Sequence, residues 1–202
     1  MKFYRIYIVD PLQFIVRENI MPVAEKLSQW FDPIVKKAGF DFSHVNFPQF
    51  IVTPEPDELI VYICDYDQSV VQFAPGAAGL IPDPSTSPHK GITLVGPPAA
   101  SEVYLKNTNP QLIAALIFHE LMHNKLQAGN SMHATFPNAQ MSSAMMTATA
   151  DLAPTAEESA AMAKVLNKHV RQWTDGQEML WRAARKREKN DPLFDDHIRF
   201  KR

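Results

Sequence analysis

One stretch, Asn109 to Gly129, constrains the fold of this chain more than any other. Asn109 suits an N-cap, because its side-chain oxygen can accept from a backbone N–H that a helix leaves unpaired. Pro110 suits the first helical position, and Gly129 is placed to stop the helix after about Ala128. The first half of the segment is apolar on every side, which a surface helix is not. A buried central helix is therefore expected, and the rest of the chain has to build a core around it. With 202 residues, 46% hydrophobic and 21% charged, the chain is long enough and apolar enough to do so as one domain.

The flanking segments predict what that core is made of. Residues 3–9 (FYRIYIV) alternate and are rich in β-branched and aromatic side chains, so a first strand is expected there, ended by Asp10-Pro11. From about Pro22 to Ala38 the pattern is helical, with Val23, Leu27, Trp30, Phe31, Ile34 and Val35 apolar. Pro33 is expected to kink or split this helix, and Gly39 to stop it. Phe50 to Thr53 is a short strand candidate. Glu58 to Asp65 (ELIVYICD) is a stronger one, apolar enough to be buried on both faces. Residues 75–98 hold six of the 16 prolines and four of the seven glycines, so a long loop is expected, with a short strand at Ile92 to Val95. Glu102 to Lys106 (EVYLK) alternates like an edge strand. After the central helix, Thr155 and Glu158 form a capping box for a helix reaching about Trp173. A further basic helix is expected from about Asp175 to Lys189, followed by a polar tail. The sum is an α+β chain forming a single domain over residues 1–202. A twisted mixed sheet with packed helices occupies 1–129, and a smaller helical and loop part occupies 130–202.

The central helix carries His119-Glu120-Leu121-Met122-His123, an H-E-x-x-H sequence. Residues i and i+4 share a helix face, so both imidazoles can reach one metal ion. Glu120 is rotated by about 100° from His119, beside the ion, where it can act as general base toward a metal-bound water. Zn2+ lowers the pKa of such a water to about 7. A catalytic zinc needs a third protein ligand, and His133, ten residues after His123, is the first candidate. A carboxylate is the rival third ligand: Glu157, Glu158 or Asp151. His44, His89, His169 and His197 are scattered through loops, a helix and the tail.

The stretch HELMHNKLQAGNSMH resembles the metzincin pattern H-E-x-x-H-x-x-G-x-x-H, and with it the zincin metallopeptidases. The order of two helical histidines, a glycine and a third histidine matches. The spacing differs: Gly129 follows His123 by six residues rather than three, and His133 follows Gly129 by four rather than three. Three extra helical residues lengthen a helix by about 4.5 Å and turn its exit by about 300°, so the chain has to return to the metal by another path. The resemblance implies a zincin-like fold and zinc-dependent hydrolysis of peptide bonds, with His119, His123 and His133 on the metal and Glu120 as base. It implies a methionine turn beneath the site, for which Met145 or Met146 in Ser142-Ser143-Ala144-Met145-Met146 is the counterpart. It also places an antiparallel edge strand before the active-site helix, in the position of Glu102 to Lys106, to pair with extended substrate. All five tyrosines precede the central helix, so the tyrosine ligand of some metzincins has no counterpart.

Composition narrows the partners. The net charge of −2 provides no basic field for nucleic acid. Residues 39–105 hold eight acidic side chains and one lysine, which would favour neutral or basic substrates. Residues 182–202 hold eight basic and four acidic ones, a segment that could dock on the acidic one. The longest apolar run, Leu112 to Phe118, is far shorter than the ~20 residues a membrane-spanning helix needs. The N-terminus lacks the features of a secretory signal, so a cytoplasmic protein is expected, or one exported without a cleavable signal peptide. One cysteine, Cys64, excludes an intrachain disulfide and a multi-cysteine zinc site. A peptide or protein substrate is the expected partner, without nucleic acid or membrane. Two other readings remain open: a zinc-stabilised, non-catalytic binding or scaffold protein, and hydrolysis of a non-protein amide such as a cell-wall peptide.

Overall fold

The computed structural model describes residues 1–10, 13–48, 55, 58–65, 89–94, 99–105, 109–128, 131–136 and 153–172. Among them five strands form one sheet: β1 (Phe3–Val9), β2 (Phe42–Asn46), β3 (Leu59–Asp65), β4 (His89–Leu94) and β5 (Ala100–Leu105). The helices are α1 (Arg17–Lys37), α2 (Pro110–Leu126), the short α3 (Ser131–Thr135) and α4 (Ala156–Val165). The strand order is β2-β1-β3-β5-β4. The first four of these are parallel, and β4 runs antiparallel to β5 at the edge. The protein is thus a mixed α/β fold with a mostly parallel sheet.

Strand β1 alternates as expected: Tyr4, Ile6 and Ile8 are buried while Phe3 and Arg5 are exposed. Strand β3 lies in the middle of the sheet, and Leu59 to Ile63 are all buried, as a continuous apolar run requires. Helix α1 packs on β2, helix α2 on β3, β4 and β5, and the two helices touch each other. Phe118 of α2 is fully buried between Trp30 and Phe31 of α1, with ring centroids 6.0 and 4.8 Å away. Burying each such side chain contributes about 1.5–3 kcal/mol. Helix α4 packs on both α1 and α2, and Met132, Met162 and Leu166 join the same core.

Several boundaries differ from the sequence expectation. Helix α1 begins at Arg17, ahead of Pro22, and passes through Pro33 without being split. Both prolines are exposed. They lie eleven residues apart, close to three helical turns, and so share the solvent face. Water can satisfy the carbonyls that lose their N–H partners there. Glu102 to Lys106 is not an edge strand: β5 lies between β3 and β4, with Ser101, Glu102, Val103 and Leu105 buried. Among the described residues the edge is β4, in the stretch rich in proline and glycine. Helix α2 stops at Leu126 because Gln127 adopts the left-handed conformation (φ 53°), ahead of Gly129. That costs a non-glycine residue energy, which the Gln127 side chain offsets by donating to the Asn124 carbonyl at 2.6 Å. Helix α4 ends at Val165 rather than near Trp173, and the chain then returns to the start of β5, where Ala99 N donates to Arg171 O. Phe50 to Thr53, Ser142 to Met146, Asp151 and the basic helix expected from Asp175 lie outside the described residues. No helix among the described residues is long and apolar enough to cross a membrane.

Candidate metal centre

Helix α2 starts as its sequence dictates. Asn109 accepts from Gln111 N, and Pro110 occupies the first turn. Residues Ile113 to Lys125 are all buried, so the polar side chains in its second half are carried into the core by the helix itself. His119 and His123, one turn apart, face each other with their Nε2 atoms 3.1 Å apart. The left-handed turn at Gln127 folds the chain back onto the helix end. Ala128 N donates to His123 O, and Ala128 O accepts from His123 Nδ1 at 2.7 Å. The short helix α3 then presents His133, anchored by the buried Met132 beside it.

The result is a near-equilateral triangle of imidazoles. The ring centroids of His119, His123 and His133 are 4.8, 5.1 and 5.1 Å apart. One ligand nitrogen from each lies within 4.8 Å of the others. This donor set could hold a metal ion: tetrahedral bonds of about 2.0–2.1 Å place neighbouring nitrogens about 3.3 Å apart, close to the 3.1 Å between the Nε2 atoms of His119 and His123. His123 Nδ1–H is committed to a backbone carbonyl, which leaves its Nε2, 3.1 Å from His119 Nε2, as the nitrogen with a lone pair for a metal. Burial lowers the pKa of His123, and the nearby His133 lowers it further, while the Ala128 hydrogen bond opposes them. The net shift favours the neutral ring that a metal requires.

The carboxylates rank differently. Glu120 is buried at the next position of the helix, and Thr93 of β4 donates to its Oε2 at 2.6 Å. Glu158 caps α4, with its carboxylate accepting from Thr155 N while Thr155 Oγ1 accepts from Glu158 N. Glu157 is exposed in the first turn of α4, and Asp151 lies outside the described residues. The group of potential ligands among the described residues is the three histidines.

Four polar residues around Glu120 have no counterpart in the sequence reading: Thr93, Ser101, Asn124 and Gln172. Asn124 offered one signal, a polar residue directly after His123 on a helix otherwise built for burial. Thr93 and Ser101 are ordinary strand residues, and Gln172 lies 48 residues from its Asn124 partner, so no local pattern marks them. Comparison with protein families, with curated protein sequences and with solved structures returns no match for this chain.

Proposed function

We propose that this chain is a zincin-type, zinc-dependent metallopeptidase, with His119, His123 and His133 as ligands and Glu120 as the general base. The observation that carries the reading is the convergence of three histidine nitrogens, with the buried Glu120 at the helix position directly after His119. A bound zinc ion would supply Lewis acidity and bring the ionisation of coordinated water toward neutrality. The three imidazoles would hold the ion, and His123 is kept in the required tautomer by Ala128 O. The Glu120 carboxylate takes a proton from the attacking water and delivers it to the departing amine nitrogen. Strand β4 favours a peptide substrate, because among the described residues it is an antiparallel edge strand packed on α2 and carries Thr93. The outer edge of such a strand offers backbone groups to an extended chain. A structural zinc is usually closed by four protein ligands. The three-histidine group among the described residues instead favours a site with a position left for water.

Metal analysis of the purified protein, paired with cleavage of a fluorogenic peptide library by wild type and Glu120→Gln, tests the reading. One zinc per chain is expected in both proteins, with cleavage at least ~10²-fold slower in the variant. A protein that binds no metal would overturn the proposal, as would equal cleavage by both. A fourth protein ligand with no cleavage would instead establish the scaffold reading.

A further inference from the structure

Behind Glu120 lies a continuous chain of polar side chains, buried except for the half-buried Thr93, that begins in the segment after α4. Gln172 Nε2 donates to Val170 O at 3.1 Å and to Asn124 Oδ1 at 2.8 Å. Asn124 Nδ2 donates to Gln172 Oε1 and to Ser101 Oγ, both at 2.9 Å. Ser101 Oγ is 3.0 Å from Thr93 Oγ1. Thr93 Oγ1 is 2.6 Å from Glu120 Oε2 and 3.0 Å from the Glu120 carbonyl. Asn124 and Ser101 are fully buried, and Gln172 nearly so.

The direction of these bonds follows from one backbone acceptor. The Val170 carbonyl can only accept, so it draws the amide nitrogen of Gln172 toward it. That places Oε1 of Gln172 against Nδ2 of Asn124, and commits both Asn124 amide protons, one to Gln172 and one to Ser101. Ser101 therefore accepts from Asn124, and of the two acceptors its own proton meets, Thr93 Oγ1 at 3.0 Å is nearer than the Glu120 carbonyl at 3.4 Å. Thr93 has one proton, and its shortest contact is with the Glu120 carboxylate, in the range of charge-assisted hydroxyl bonds.

We propose that Thr93 is a positioning residue that holds the Glu120 carboxylate, and that Gln172 and Asn124 set the direction of its hydroxyl through Ser101. The catalytic consequence rests on Glu120 being the base; the hold on the carboxylate does not. The segment after α4 thus acts on the carboxylate without touching substrate.

Crystal structures of metal-free wild type, Thr93→Val and Thr93→Ser test the hold directly. In Thr93→Val, which keeps the side-chain shape, the Glu120 carboxylate should move by roughly 1 Å or more, and in Thr93→Ser it should stay. A carboxylate that keeps its place in Thr93→Val would overturn the proposal. In the zinc-loaded proteins, kcat on a fluorogenic peptide library should fall ~10–100-fold in Thr93→Val at unchanged KM. Thr93→Ser should restore it, and Gln172→Met should lower kcat by a smaller factor. A loss carried by KM, or one that Thr93→Ser fails to restore, would overturn the positioning role, and wild-type kcat in Gln172→Met would overturn the relay beyond Ser101. If the zinc-loaded wild type cleaves no peptide, the peptidase reading fails, and the carboxylate positions alone decide the hold by Thr93.

Discussion

Helices α1 and α2 pack against each other and share one core, yet they solve opposite problems. Every buried residue of α1 is apolar, from Val23 to Val35, and its charged side chains and both prolines stay out of the core. Helix α2 is buried throughout its middle and second half, so His119, Glu120, His123, Asn124 and Lys125 have no solvent face to occupy. A buried polar group costs free energy unless it is paired. The pairs found in the structure are a second imidazole, a strand hydroxyl, a backbone carbonyl and an amide. The lesson is that an amphipathic helix leaves its polar residues to water, whereas a fully buried one turns each into a constraint on another element.

Phe118→Ala should have the largest effect on this pair, because it empties the contact between the helices. A loss of ~3–5 kcal/mol is expected in urea unfolding. A loss below ~1 kcal/mol would show that the two helices are not tightly joined. Asn124→Leu should cost ~1–3 kcal/mol, since it strands Ser101 and the Gln172 amide, whereas Gln29→Leu on the exposed face of α1 should stay within ~0.5 kcal/mol. Equal costs would erase the contrast between the helices. Pro33→Ala should raise stability by ~1–2 kcal/mol, by restoring a helical hydrogen bond on the solvent face, less the greater freedom of the unfolded chain. A thermal melt that does not rise would mean the backbone at Pro33 is already adapted to its ring.

The smallest effect is a slope rather than a step. His123 has a lowered pKa in the folded protein, chiefly through burial. Between that value and the ordinary value of about 6.5, the unfolded chain binds a proton that the folded chain does not. Stability of the chelator-treated protein should therefore fall as pH drops through that window, and the slope should lessen in His123→Gln. Urea midpoints across the same pH range measure it, and an unchanged slope in the variant would show that other groups carry the acid sensitivity.

The elements were legible where local pattern decides them. The alternation of β1, the apolar run of β3, the Asn109 cap and the Thr155–Glu158 capping box all appear in the structure as the sequence implies. The errors fall where a distant partner overrides local appearance. Residues 102–106 alternate like an edge strand, but β4 pairs outside them; the α4 helix stops early because the chain is recruited to β5. Two prolines did not break α1 because their defects face water.

The candidate site divides along the same line. The sequence alone placed His119 and His123 on one face of one buried helix, with Glu120 rotated about 100° from His119, because a period of 3.6 residues requires it. It could not place His133, whose approach depends on the left-handed turn at Gln127 and on Met132 entering the core. Nor could it find Thr93, 27 residues before Glu120, or Gln172, 48 residues after Asn124. Periodicity and capping act between neighbours and leave a trace in the chain. A hydrogen bond between distant strands and helices leaves none until packing has brought its two ends together.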